Sequence, residues 1–299
     1  MQSEFNTPIL FLVFNRLDTA SKVFGMIKKI KPRKLFVASD GPRNDAEAEN
    51  VHKVRRMVEV GIDWECELEV LYREKNLGCK QAVSEAMDWF FDRVEEGIIL
   101  EDDCLPDQSF FSFCQNLLEE YRNDNRVMHI GGTNFQHGKT RGKDSYYFSK
   151  FSHIWGWATW RRAWKLYDVN MKSYPEFVKS NTISQIWNER YLQCFWIKAL
   201  NSVYDGKLDT WDHQWTYAVW INGGLSIVPN ENLVTNIGFG VNATHTKGKN
   251  IIANLPAVQL CGISHPRFFV IDHRADAYYG RNFSLIKKLI NKVLVYLKQ

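Results

Sequence analysis

Apolar and polar positions fall into alternating blocks along the first 130 or so residues. The apolar run at 8–14 reads as a buried strand. A helix follows it, capped by Asp18 or Thr19 and running to about Lys31, where Pro32 stops it. Residues 34–39 read as a second strand closed by the turn Asp40-Gly41-Pro42. A helix over 46–60, a strand over 66–72 and a helix over 80–95 come next. A short apolar strand at 97–100 then runs into Glu101-Asp102-Asp103, ahead of a helix over 109–121 and a strand over 127–131. This rhythm predicts an α/β fold, a mostly parallel sheet with helices on both faces. Ligands of such sheets bind beyond the carboxyl ends of the strands. Arg16, Asp40 and the three acids fall there.

From about residue 133 the pattern is less regular. It holds an aromatic stretch at 155–160, a helix over 184–203 and a turn-rich tail from Gly223. No Pro/Gly/Ser linker separates the parts, so one continuous domain is expected, with 133–280 building a second wall of the site. Residues 283–299 read as a helix with an apolar stripe (Ile286, Leu289, Ile290, Val293, Leu297) and four lysines without an acid. Such a helix suits an anionic membrane surface as well as the flank of its own domain. The apolar run near the N-terminus is too short for a signal sequence or a membrane span.

Composition narrows the classes. Of 299 residues, 45% are hydrophobic and 24% charged, which excludes disorder, collagen and coiled coil for the bulk of the chain. Lys+Arg 38 against Asp+Glu 34 is too balanced for a dedicated nucleic-acid binder. Six scattered cysteines without a CxxC pair point to free thiols in a reducing cytosol rather than a zinc ribbon or disulfide framework. There is neither a P-loop nor a GxGxxG fingerprint. Aromatics reach 14%, mostly core but also material for a sugar or base site.

Three consecutive acids after GIIL repel one another unless a cation neutralises them, and Mg²⁺ or Mn²⁺ prefers such oxygen ligands beside a diphosphate. The bland reading is an acidic loop at a helix start. Asp40 and Arg43 in SDGPR suit a ribose and a phosphate, or a plain turn. The backbone N–H groups of 76–80 precede a helix and suit phosphate. Asp212, between Trp211 and Trp215, suits a general base or a helix cap, with Asp209 as its competitor. His245 suits a metal shell or a phosphate contact. Of Trp155, Trp157, Trp160 and Trp164, most are expected in the core, with one ring near Gly156 exposed.

Taken together, PILFLVFNR, SDGPR, NLGCKQAVSEAMDWFF, GIILEDDCLPDQSFF, WGWATW and TWDHQW give the chain a resemblance over roughly residues 7–245. It resembles the nucleotide-diphospho-sugar transferases of the GT-A fold. It is most similar to the inverting N-acetylglucosaminyltransferase I type and to bacterial surface-polysaccharide glycosyltransferases. The resemblance implies a Rossmann-like GT-A domain with a nucleotide-sugar-binding half at 1–132, an acceptor-side half at 133–280 and the basic helix at 281–299. It implies Asp103 as the Mn²⁺ or Mg²⁺ ligand with His245 as auxiliary, Asp102, Asp40 and Arg16 at the nucleotide, Glu101 at the donor sugar, and Asp212 as the base.

The activity so implied is transfer of a sugar from a nucleotide diphosphate, UDP, to a glycan or lipid-linked acceptor in polysaccharide biosynthesis, inverting the anomeric carbon. A retaining route would not require the base. The expected setting is the cytoplasm, peripheral on the inner face of the membrane. The same acids leave open a sugar-phosphate nucleotidyltransferase or metal-dependent phosphoesterase. The aromatics leave open a non-catalytic sugar-binding protein.

Overall fold

The computed structural model describes residues 5–239 and 254–283. His245 and residues 284–299 of the basic helix lie outside the described residues. The chain opens with β1 (Ile9–Val13), α1 (Leu17–Ile30), β2 (Lys34–Ser39), α2 (Asp45–Gly61), β3 (Glu67–Tyr72), α3 (Gly78–Phe91) and β4 (Glu96–Glu101). Its apolar strands are buried along nearly their whole length in β1, β2 and β4, as parallel strands covered on both faces must be. α1 presents Ala20, Val23, Phe24 and Ile27 as one buried stripe. It starts at Leu17, so Asp18 and Thr19 stand in its first turn rather than at its cap, and the Thr19 hydroxyl donates back to the Arg16 carbonyl at 3.4 Å. It ends at Lys31 in the left-handed region (φ 51°), and Pro32 cannot continue it.

The remainder runs β5 (Cys104–Pro106), α4 (Gln108–Glu120), β6 (Val127–Gly131), β7 (Tyr146–Ser149), β8 (Trp157–Trp160) and α5 (Arg161–Trp164). It continues through α6 (Tyr174–Lys179), α7 (Ile183–Ile186), α8 (Arg190–Tyr204), α9 (Asp212–Ile221), β9 (Leu225–Pro229), β10 (Val234–Asn236) and α10 (His273–Gly280). Eight strands form one sheet in the order β3-β2-β1-β4-β8-β6-β9-β7, and β5 pairs with β10 separately. The first four strands are all parallel; β8 runs antiparallel to both β4 and β6, and β7 antiparallel to β9. The α/β expectation of a mostly parallel sheet flanked by helices therefore holds. Among the described residues no helix is long and apolar enough to cross a membrane.

From β1 the chain winds outward to β2 and β3, then returns to place β4 on the other side of β1. The crevice at the β1/β4 boundary is the topological switch point, where α/β sheets bind ligands. β4 pairs Glu101 with Leu12, so the strand reaches past Leu100 and draws the first acid into the sheet.

Two sequence expectations change. The helix over 184–203 is two helices, because Trp187 turns extended (ψ 124°) to bury its ring, and its carbonyl accepts from Gln193 Nε2 at 2.7 Å. The turn-rich tail contains β9 and β10. In α9 every residue from Gln214 to Trp220 is buried, so no amphipathic stripe announces it.

The core behind the site is aromatic. On β8, Trp157 is fully buried, stacked on the His129 ring at 5.0 Å and on Trp211 at 5.5 Å. His129 is neutral, its pKa pushed by burial down to about 3. Its Nδ1 accepts from Trp215 Nε1 at 3.1 Å, which leaves Nε2 to donate to the His153 carbonyl at 3.0 Å.

Candidate active site

A cavity of about 600 Å³ opens over the carboxyl ends of β1, β2 and β4. It brings together six of the seven residues singled out from the sequence: Arg16, Asp40, Glu101, Asp102, Asp103 and Asp212. The acids of the triplet differ in environment. Asp102 is 5% exposed; its Oδ1 accepts from Arg16 Nη2 at 2.5 Å and its Oδ2 from the Phe14 backbone N–H at 3.2 Å. Burial outweighs the Arg16 charge and raises its pKa to about 6. Asp103 Oδ2 accepts from the same Arg16 nitrogen at 2.8 Å. Glu101 touches the cavity, yet its Oε1 is buried with no hydrogen-bond partner among the described residues. Burial, then Asp103, Asp102 and Asp212, push its carboxyl well above the usual range. Arg16 is itself desolvated, but the two aspartates more than compensate and raise its pKa, so it stays charged.

The two-stranded sheet of β5 and β10 lays the segment after β10 across the acids. Asn236 pairs with Cys104, and its Nδ2 lies 3.5 Å from Asp103 Oδ1. Gly238 approaches Asp103 so closely that a Cβ there would collide with the carboxylate.

Asp40 is committed to backbone. Its oxygens accept from the N–H groups of Gly41 (2.9 Å), Leu77 (3.0 Å) and Gly78 (3.1 Å). Asp209 accepts from Cys79 (2.9 Å) and Lys80 (3.1 Å). The N–H groups expected to face phosphate before α3 are thus held by two carboxylates, which suit a helix N-terminus. Gly78 (φ +81°) permits the turn, and a Cβ on it would press on Asp209 Oδ2. Sequence reasoning missed this second cap, because a carboxylate 130 residues away leaves no spacing signal.

Asp212 opens α9 and lines the same cavity. Its Oδ1 accepts from the Thr210 hydroxyl and from His213 Nδ1 at 2.9 Å. Burial alone would raise its pKa, but the hydrogen bond and charge of His213, with Thr210, hold it below the usual carboxylate range. The His213 pKa rises in turn: burial opposes its charge and Asp212 overrides it. Asp209, spent on α3, is no competitor for a base. Cys79 lines the cavity, but burial and the surrounding acids push its thiol up, so it is no nucleophile near neutrality.

Trp155 lines the cavity while Trp157, Trp160 and Trp164 are buried. Next to Gly156 it is partly buried rather than exposed, its position braced edge-on by Phe135 (5.3 Å) and Phe239 (5.4 Å). Arg43 and Arg73 also line the cavity; Arg43 lies over Phe14 and pairs with Glu47, and Arg73 pairs with Glu85.

Among the described residues no three His, Cys, Asp or Glu side chains form a ready cage for a metal ion. The donor set still fits a hard cation brought with phosphate: the triplet offers carboxylate oxygens, one of them buried and unpartnered among the described residues, and Arg16 pairs with only two of the three acids. Mg²⁺ in particular is commonly held by one or two carboxylates plus substrate phosphates.

No protein-family model and no curated protein matches the sequence. Solved structures similar to it include the mannosyltransferase PcManGT from Pyrobaculum calidifontis, in complex with GDP-Man and Mn²⁺, at 12% identity and TM-score 0.39, covering 55% of this chain and 48% of that one. HddC from Yersinia pseudotuberculosis is similar at 9% identity and TM-score 0.31, over 52% of this chain and 77% of that one. A UDP-glucose pyrophosphorylase complexed with UDP-glucose is similar at 9% identity and TM-score 0.28, over 48% and 62%. The chain thus spans about half of the first of these.

Proposed function

We propose that the protein is a metal-dependent glycosyltransferase of GT-A type, moving a sugar from a nucleotide diphosphate, UDP first among the candidates, to a hydroxyl of a glycan or lipid-linked acceptor. The observation that carries this reading is one cavity with the acid triplet and Arg16 on one wall and the Asp212–His213 pair on another. Arg16 and Arg43 receive the diphosphate side of the donor. Asp40 and Asp102 shape the nucleotide side through what they hold: Asp40 the 76–78 turn, Asp102 the Arg16 fork and the end of β1. Glu101 faces the donor sugar.

Asp103, with His245 as a proposed auxiliary, would hold the cation, which when bound neutralises charge growing on the departing diphosphate. Asp212, ionised and oriented by Thr210 and His213, takes the acceptor proton. A base on the wall away from the leaving group favours attack on the opposite face, hence inversion.

The test is thermal unfolding with UDP, GDP, CDP and dTDP, each with and without Mn²⁺. A ligand a hundredfold above its Kd stabilises by about 2.7 kcal/mol. A shift with one nucleotide that requires Mn²⁺ and vanishes in Asp103→Ala is expected. No shift with any of them would overturn the reading. Pyrophosphate release from UTP and a sugar 1-phosphate would favour a nucleotidyltransferase instead.

Gly238→Ala is expected to weaken Mn²⁺-dependent nucleotide binding by tenfold or more, on the order of the loss from misplacing a site group by an ångström. Its unfolding free energy should fall by no more than about 1–3 kcal/mol, the usual cost of overpacking. Wild-type nucleotide affinity in this variant would show that Asp103 does not need its place beside Gly238.

A further inference from the structure

We infer that Arg16 is the resident counter-ion of the acid triplet and exchanges it for the donor diphosphate when cation and nucleotide bind, which couples the two ligands. The inference rests on the nucleotide-site reading above and adds the order of partners at Arg16. A single nitrogen, Nη2, stands 2.5 Å from Asp102 Oδ1 and 2.8 Å from Asp103 Oδ2. It covers an oxygen that Asp103 would offer to a cation. The other, Oδ1, has Asn236 Nδ2 and Cys104 Sγ at 3.5 Å. A divalent cation and a guanidinium on the same carboxylate repel, which favours release of Arg16 when the cation binds.

Arg16 has somewhere to go. It stands on the short link between β1 and α1, its side chain is 23% exposed, and it lines the same cavity. A guanidinium fork matches two phosphate oxygens as well as it matches carboxylates. The exchange keeps every charge paired: the carboxylates trade Arg16 for the cation, and Arg16 trades them for the diphosphate. Cation alone would strand Arg16, and diphosphate alone would strand the acids. By linkage each ligand then raises the affinity of the other by the same factor.

The test is calorimetric titration of the full chain with MnCl₂ alone, with UDP in saturating Mn²⁺, and with uridine in saturating Mn²⁺. In Arg16→Met, Mn²⁺ alone is expected to bind at least tenfold tighter, while UDP binds at least tenfold weaker and uridine is unchanged. Arg16→Lys, which keeps the charge beside the buried carboxylates but loses the fork, should bind Mn²⁺ like the wild type and UDP in between. Opposite signs for the two ligands are the signature, because a merely structural arginine would weaken both. Tighter Mn²⁺ with unchanged UDP would mean a fixed counter-ion and overturn the exchange, as would unchanged Mn²⁺ affinity. Absence of Mn²⁺-dependent UDP binding in the wild type would overturn the nucleotide-site reading and the exchange with it.

Discussion

Asp212→Asn lowers turnover by roughly 10²- to 10⁴-fold, the usual contribution of a positioned general base, and leaves Mn²⁺-dependent UDP affinity within about twofold. The amide keeps the size and the Thr210 contact but cannot take a proton. UDP release in the presence of an accepted sugar measures the first quantity and calorimetry the second. Full turnover in the variant would remove Asp212 from the chemistry.

The same substitution reports on His213. In the wild type Asp212 holds the His213 pKa above its ordinary value against burial. The imidazolium therefore contributes stability in full below about pH 6.5, and that contribution is lost as pH rises through its folded pKa. Asp212, held low, contributes above about pH 4 and loses its contribution as pH falls through its folded pKa. The ion pair thus stabilises the fold most between those limits. In Asp212→Asn only burial remains, and the His213 pKa should fall below about 6.5. An NMR titration of the His213 ring reads this directly, and an unmoved pKa would show that some other group sets it.

Trp157→Ala costs about 3–5 kcal/mol, the range for emptying a buried tryptophan site. That is a large share of the roughly 5–15 kcal/mol that holds a domain together. The ring is fully buried among His129, Trp211 and Trp215, with centroids 5.0 to 5.6 Å apart. These neighbours sit on β6 and at the start of α9 and cannot collapse far into the gap. Trp157→Phe should cost clearly less. It keeps an aromatic ring and removes an indole N–H that is buried without a partner among the described residues. Urea unfolding with an unchanged m-value separates the two variants. Equal losses would mean that the indole N–H is satisfied in solution.

The parallel half was legible because its signals are local. Runs such as Ile9–Val13 are apolar throughout, helices such as α1 carry a 3.6-residue stripe, and turn residues close them. Charge at strand ends marked Arg16, Asp40 and the triplet. The later half hid itself for the opposite reason. α9 is buried on all sides, β8 is antiparallel inside a largely parallel sheet, and the 184–203 pattern breaks where Trp187 leaves the helix for the core.

Gathering Asp212 and Asp103 into one cavity needed a chain path of more than a hundred residues, which no window of sequence contains. The double cap on α3 by Asp40 and Asp209 and the approach of Gly238 to Asp103 are likewise contacts between distant segments. By itself the sequence determined an α/β chain with a carboxylate cluster at the end of a buried strand, since strand propensity and the repulsion of adjacent acids are properties of neighbours. Only the tertiary structure decided which acids are free for ligands and which are spent on backbone N–H groups. Hydrogen bonds and desolvation depend on which distant atoms packing brings within about 3 Å.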